Sequence, residues 1–142
     1  MKVCLIIITY NSNEALFSYL NSLKKFEGID IVVVDNYEKT DLSKNLFDKR
    51  TEYLKPNANL GYSGGFKHGF DHLNKEYDLY IQSNADILID DKDFFQRINN
   101  IIEDDSVGVF CPRIISLPNK VDQNPYLRTK PSYFWKVKYF FI

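Results

Sequence analysis

The sequence predicts an α/β fold, a mainly parallel sheet with helices on both faces, on three observations. Val3 to Ile8 and Ile31 to Val34 are uninterrupted apolar runs rich in β-branched residues, an amphipathic segment lies between them, and polar residues follow each run at once. Continuous apolar runs suit strands buried on both faces, as parallel sheets require. A helix between two such strands makes a β-α-β unit, whose crossover is right-handed.

Taken in order, the first strand covers Val3 to Ile8 and ends at Thr9-Tyr10-Asn11-Ser12-Asn13. Leu16, Leu20 and Leu23, with Tyr19 and Phe26, then fall on one side of a helix. Asn11 and Glu14 have capping-box spacing at its start, and Gly28 suits its end. Ile31 to Val34 forms the second strand, with Asp35 at its carboxyl end. Leu42 to Phe47 reads as a short helix, and Glu52-Tyr53-Leu54 as a short strand stopped by Pro56. Asn57 to Gly69 is a Gly- and Asn-rich stretch leading into a helix through Phe70 and Leu73. Leu79 to Gln82 is a strand, Phe94, Phe95, Ile98, Ile101 and Ile102 have helical spacing, and Val107 to Phe110 reads as a further strand. From Ser116 onward prolines mark a loop-rich stretch, and Tyr133 to Ile142 is aromatic and basic.

The 142 residues suffice for one domain, and 44% apolar content provides a sizeable core. Lys and Arg number 18 against 19 Asp and Glu, so no overall field captures nucleic acid, and an anionic ligand must be held locally. Cys4 and Cys111 match neither a zinc site nor a disulfide framework, which fits a reducing cytoplasm. The first apolar run is too short to span a bilayer and lacks the features of an export signal.

In an open parallel sheet, ligands bind outside the carboxyl ends of the strands. Thr9 to Asn11, Asp35 with Asn36, and Asn84 to Asp86 all fall at such ends, and form the candidate constellation. Asp35 holds the place where dinucleotide folds put a ribose-binding acid, but the turn from Thr9 to Asn13 has no glycine and so lacks the G-x-G-x-x-G cradle. The stretch from Asn59 to Gly69 lacks the Gly-Lys-Ser/Thr ending of a P-loop. Its glycines can let backbone amides approach a ligand, with Lys67 as a point charge near a diphosphate. Asp86 is the candidate ligand for Mg²⁺ or Mn²⁺, since such ions on nucleotides need only one or two carboxylates.

Each feature also has a plainer explanation. Asp35 can cap a turn, Thr9 and Asn11 can cap a helix, and Asn59, Gly61, Gly64 and Gly65 can be turn formers. Asp90, Asp91 and Asp93 read as a solvated turn before a helix, and His68 and His72 as surface residues.

The ordered set Ile7-Ile8-Thr9-Tyr10-Asn11, Val33-Val34-Asp35-Asn36, Asn59-Leu60-Gly61-Tyr62-Ser63-Gly64-Gly65 and Ser83-Asn84-Ala85-Asp86 resembles the family 2 glycosyltransferases, in particular the rhamnosyltransferase-like group acting on bacterial surface polysaccharides. The resemblance covers residues 2 to about 115. It implies a GT-A fold, the Rossmann-like architecture of nucleotide-diphospho-sugar transferases. Thr9, Tyr10 and Asn11 would line the nucleoside pocket, Asp35 would read a pyrimidine edge, and Asp86 would end a degenerate DXD motif holding the cation, with Asn84 at its first position. It further implies inverting transfer from a UDP- or dTDP-sugar to a glycan or lipid-linked acceptor, with a carboxylate base from the later half of the domain. The sequence departs from the family pattern at Asn84, at Lys67, where asparagine is common, and at Tyr37-Glu38-Lys39, which replaces a serine-containing turn.

The expected organisation is a sugar-nucleotide-binding region over residues 1–115 and a loop-rich start of the acceptor side over 116–142, in a shortened chain whose base lies beyond its end. The terminal aromatic segment fits either peripheral contact with the inner face of the cell membrane or the core of a missing half. A homo-oligomer is compatible with the same features. Two other functions stay in view: a non-catalytic nucleotide-binding or interaction module, and an NAD-dependent dehydrogenase, which the glycine-free first turn disfavours.

Overall fold

A computed structural model describes residues 1–39, 42, 47–102 and 108–123. Four parallel strands, β1 (Val3–Thr9), β2 (Ile29–Asp35), β3 (Thr51–Leu54) and β4 (Leu79–Asn84), form one sheet in the order β3-β2-β1-β4. Among the described residues three helices accompany them: α1 (Asn13–Leu23), α2 (Gly61–His72) and α3 (Phe94–Ile102).

The predicted two-sided burial of β1 follows directly from its alternation. Val3, Leu5 and Ile7 join Leu16, Tyr19 and Leu23 of α1 in one apolar cluster, together with Ile31 and Val33 of β2. Cys4, Ile6 and Ile8 join Val32 and Val34 in a second, against Phe66 of α2. Successive side chains of a strand point to opposite faces, so both faces are apolar and both are covered by helix. Each fully buried Leu, Ile or Val contributes roughly 1.5–3 kcal/mol relative to exposure, which makes these two central strands the most strongly determined part of the molecule. Burial also pushes the Cys4 thiol up to about 12, with the nearby Asp30 charge adding to the effect, so this sulfur is an inert core atom.

Four local expectations are corrected. The stretch from Gly61 to Gly69 is helix, where the glycines suggested a loop running into one. Its Gly65 and Gly69 face the sheet: a Cβ at Gly65 would lie 3.1 Å from Asn36 Nδ2 and 3.2 Å from Ile8 Cγ2, and one at Gly69 2.8 Å from Ile6 Cγ2 and 3.0 Å from Val34 Cγ2. The residues that weaken helix propensity are thus the ones that allow α2 to approach so closely. The Asn11–Glu14 capping box does not form. Asn11 is left-handed, with φ 52, Ser12 takes the cap position, and its hydroxyl donates back to the Tyr10 carbonyl. Gly28 does not end α1, which stops at Leu23. It turns the chain, with φ 71, immediately before β2. Finally, Gly108 to Phe110 carry no strand pairing, and Val109 is 93% exposed, so the burial that would hold a strand together is missing there. Val107 lies outside the described residues, as do most of the expected Leu42–Phe47 helix and the whole terminal aromatic segment.

The chain divides into two compact units, 1–105 and 106–142. In the second, the described residues contain a small antiparallel bridge between Ile115 and Asp122, beside an Arg113–Asp122 ion pair at 3.0 Å.

Candidate functional site at the strand tips

The strand order places a topological switch at β1. The chain moves from β1 outward to β2 and β3, and returns through α2 to pair β4 on the other side of β1. The segments leaving β1 and β4 at their carboxyl ends pack on one face of the sheet, where Leu16, Tyr19 and Leu23 of α1 share an apolar cluster with Ala85, Ile89 and the partly buried Phe94 and Phe95, while α2 covers the other face. In such sheets ligands bind outside the carboxyl ends of the strands near the switch in strand order. Register puts Thr9 opposite Asp35, and Ile8 opposite Asn84. The three polar clusters singled out in the sequence accordingly share one end of the sheet on three adjacent strands.

At the β2 tip the groups are buried and partnered. Asp35 is 1% exposed: its Oδ1 accepts the Tyr37 backbone N–H at 2.9 Å, and its Oδ2 accepts the Tyr53 hydroxyl at 2.9 Å and Lys55 Nζ at 3.2 Å. Lys55 also donates to the Tyr37 carbonyl, and the Tyr53 oxygen accepts the Leu42 amide at 3.2 Å. Asn36, equally buried, donates from Nδ2 to the Gly61 carbonyl at 2.9 Å, and its Oδ1 receives the Leu60 amide at 3.4 Å. Asn36 thereby fastens the start of α2 to the sheet end. Asn59 helps by accepting the Gly61 amide at 2.9 Å, a turn that suits the left-handed Gly61, with φ 68.

Next to these, Thr9 is 2% exposed, and its Oγ1 is a buried side-chain atom with no partner among the described residues. A buried hydroxyl left unpaired costs free energy, and this one lies at the middle strand of the candidate site. Tyr10 is 55% exposed and meets Tyr37 edge-on with ring centroids 5.1 Å apart, so an aromatic pair bridges the β1 and β2 tips.

At the β4 tip the chemistry is open. Ser83, on the buried face, donates to the Asn84 carbonyl at 2.9 Å and shares a hydroxyl–hydroxyl contact with Tyr19 at 3.3 Å, while Ala85 is buried. Asn84 and Asp86 point to solvent. The Asp86 carboxylate has no hydrogen-bond or ion-pair partner among the described residues; its charge acts on Tyr62, whose hydroxyl pKa is raised by burial and then by Asp86.

No group of three or more His, Cys, Asp or Glu side chains among the described residues makes an all-protein metal cage. The open Asp86 carboxylate with Asn84 two residues before it suits instead a hard divalent ion whose remaining ligands are phosphate oxygens and water. His72 is exposed and bonded to Glu52 at 3.0 Å, consistent with a surface role.

Lys67 lies in the second turn of α2, exposed and ion-paired with Asp71 at 2.5 Å. Gly64 lies in the first turn, and Gly65 is pressed on the sheet beside Asn36. Two hollows of about 420 and 430 Å³ occur elsewhere, around Asp30, Arg50, Lys75 and Tyr77, most of them toward the amino ends of the strands. Their lining includes the surface ion pair Lys75–Asp30 at 2.6 Å, whereas the carboxyl-end strand tips carry the unpaired buried hydroxyl and the open carboxylate. The tips are therefore the stronger candidate. Sequence reasoning missed Tyr53, Lys55 and Tyr62, which reach the site only through the fold; the pairing of Tyr53 with Val33, next to the β2 tip, is a long-range fact.

Comparison with known proteins bears on the family and the fold. The chain is 28% identical over 117 residues to a low-salt glycan biosynthesis hexosyltransferase of Haloferax volcanii, covering 79% of this chain and 36% of that protein. Its fold is similar to that of the mannosyltransferase PcManGT from Pyrobaculum calidifontis, solved in complex with GDP-Man and Mn²⁺, at a TM-score of 0.64 and 18% identity, over 75% of this chain and 34% of that one. S. aureus TarS is similar at a TM-score of 0.52 and 24% identity, over 72% and 32%. These structural likenesses establish the GT-A fold, and the chain spans about a third of the length of each of these proteins. A family model described as glycosyl transferase family 2 matches residues 4–142, which replaces the dehydrogenase alternative: the chain belongs to glycosyl transferase family 2.

Proposed function

We propose that this chain is the donor-binding part of an inverting glycosyltransferase that takes a sugar from a UDP- or dTDP-sugar, with Mn²⁺ or Mg²⁺, for transfer to a glycan or lipid-linked acceptor in bacterial surface polysaccharide synthesis. The observation that carries this reading is the convergence of buried Thr9 and Asp35 with open Asp86 on adjacent strand ends at the switch point. The hexosyltransferase relative supports transfer of a hexose, and the neighbour holding GDP-Man and Mn²⁺ supports a nucleotide sugar with a divalent ion as the ligand pair.

In this reading Thr9, Tyr10 and Asn11 line the nucleoside, Asp35 and Asn36 hold its base side, and the first turn of α2, from Gly61 to Gly64, faces the diphosphate. Leu60 at the cap of α2 supplies no side-chain acceptor and Asn59 takes only the Gly61 amide, so the first-turn amides after Gly61 remain to meet an anion. Asn59 and Gly65 fix that turn, and Lys67 adds positive charge farther along the helix. Asp86, with Asn84, would hold the cation, which supplies charge neutralisation for the departing nucleoside diphosphate. Residues 1–115 form the sugar-nucleotide-binding region and 116–142 the beginning of the acceptor side, with the catalytic base outside the residues assigned here. The site works at the cytoplasmic face; among the described residues no helix is long and apolar enough to cross a membrane, and the terminal aromatic and basic segment is the proposed peripheral contact.

The test is a calorimetric titration of UDP with and without Mn²⁺. Binding is expected to strengthen with Mn²⁺ by about 10- to 100-fold, the scale of one or two interactions with a charged group, and this gain should vanish in Asp86→Ala. Cation-independent binding that Asp86→Ala leaves unchanged would remove the metal assignment. A non-catalytic nucleotide-binding module is the second reading. Donor hydrolysis separates the two, since sugar release that depends on Asp86 belongs to a transferase.

A further inference from the structure

The reading of Asp35 as the base-facing carboxylate leaves open how it would distinguish one base from another, and its hydrogen bonds bear on that question. An ionised carboxylate has about four acceptor positions, two per oxygen. Oδ2 already receives two donors, the Tyr53 hydroxyl and Lys55 Nζ, while Oδ1 receives one, the Tyr37 amide. One acceptor position remains, on Oδ1. Guanine presents two adjacent N–H donors on its Watson–Crick edge, and a carboxylate satisfies both only by giving one oxygen to each. Uracil and thymine present a single N–H with a carbonyl oxygen on either side.

We propose that Tyr53 and Lys55 are specificity-determining positioning residues that lock Asp35 Oδ2, so that the site accepts a uracil or thymine nucleotide and rejects a guanine nucleotide. Both donors come from the β3 region, Tyr53 within the strand and Lys55 just after it, and both are held by other groups: Tyr53 by the Leu42 amide, Lys55 by the Tyr37 carbonyl. Neither can swing away without breaking a second bond. Charge acts in the same direction. With the base N–H on Oδ1, the next group along the base edge faces Oδ2 and the Lys55 ammonium. A pyrimidine carbonyl oxygen would be drawn to the Lys55 ammonium, and a guanine amino group would meet two donors with no acceptor left for it. A buried donor without an acceptor is the strongest source of discrimination a polar site has.

This inference rests on the donor-binding reading. It is tested by measuring dissociation constants for UDP and GDP in the presence of Mn²⁺ on the full chain, its Lys55→Met, Lys55→Arg and Tyr53→Phe variants, with folding checked by circular dichroism. The unchanged chain is expected to bind UDP at least about tenfold more tightly than GDP, the scale of one hydrogen bond to a charged group. Lys55→Met and Tyr53→Phe should each reduce that ratio below about threefold by freeing an acceptor position on Oδ2, and Lys55→Arg, which keeps a charged donor, should preserve it. A general loss of structure would weaken both nucleotides together and leave the ratio unchanged. A preference for UDP that survives in folded Lys55→Met or Tyr53→Phe overturns the inference while the donor-binding reading stands, as does a native preference for GDP. Binding of neither nucleotide by the unchanged chain overturns the donor-binding reading, and the inference falls with it.

Discussion

The β2 tip and the β4 tip end neighbouring parts of one sheet, yet they are built in opposite ways. At the β2 tip Asp35 is 1% exposed and takes three hydrogen bonds, and Asn36 ties the sheet to the start of α2. At the β4 tip Asn84 and Asp86 face solvent, and Asp86 has no protein partner among the described residues. The difference separates two tasks. A group that must present one fixed acceptor to a planar base gains from being locked before the ligand arrives, because the ordering cost is then met during folding. A carboxylate that must take a hydrated ion gains from being open, because the ion keeps water and phosphate ligands and needs only one or two from the protein.

If this contrast is right, the same chemical change at the two tips should have different consequences. The largest effect on stability is expected for Asp35→Ala. Removing one partner of a buried ion pair costs about 3–5 kcal/mol, and the 24% exposure of the Lys55 side chain lets its ammonium reach water, which lowers the expectation to about 2–3 kcal/mol. Urea denaturation reads this directly, and a loss under about 0.5 kcal/mol, the level of an ordinary surface change, would show that the network does not lock the tip.

Next comes Gly69→Ala. The new methyl would meet Ile6 at 2.8 Å and Val34 at 3.0 Å; overpacking costs about 1–3 kcal/mol, against about 1 kcal/mol of helix propensity gained. A net loss is expected on thermal melting, together with weakened nucleotide binding, because α2 carries the residues that Asn36 holds. A rise in melting temperature would mean that α2 does not pack as closely as described. The smallest change in stability is expected for Asp86→Ala, within about 0.5 kcal/mol as for an exposed, unpartnered side chain, even though it should remove the Mn²⁺-dependent gain in binding. A large destabilisation there would erase the contrast between the tips.

The sequence made the central strands legible because their apolar runs are continuous, and α1 because Leu16, Tyr19 and Leu23 repeat at helical spacing and are all buried. The α2 start was hidden by its own chemistry. Glycine lowers helix propensity, and only the four-residue spacing of Gly65 and Gly69 hinted that both lie on one helix face against a sheet. Gly108 to Phe110 misled in the other direction, since an apolar run is a strand only when a neighbour pairs with it. For the site, the polar residues after β1, β2 and β4 stood out from their positions alone. Tyr53 and Lys55 did not, because their partner is Asp35, 18 and 20 residues away, and no local pattern encodes that contact.

The most direct test is paramagnetic broadening of backbone amide signals when Mn²⁺ is added with UDP to isotope-labelled protein. Loss of signal is expected first at residues 84–86, then at residues 9–11 and at the start of α2 around Tyr62, while Asp30 and Lys75 at the far end of the sheet stay sharp. Broadening centred on Asp30 and Lys75, or on the acidic turn at residues 90–93, would contradict a metal and nucleotide site at the strand tips.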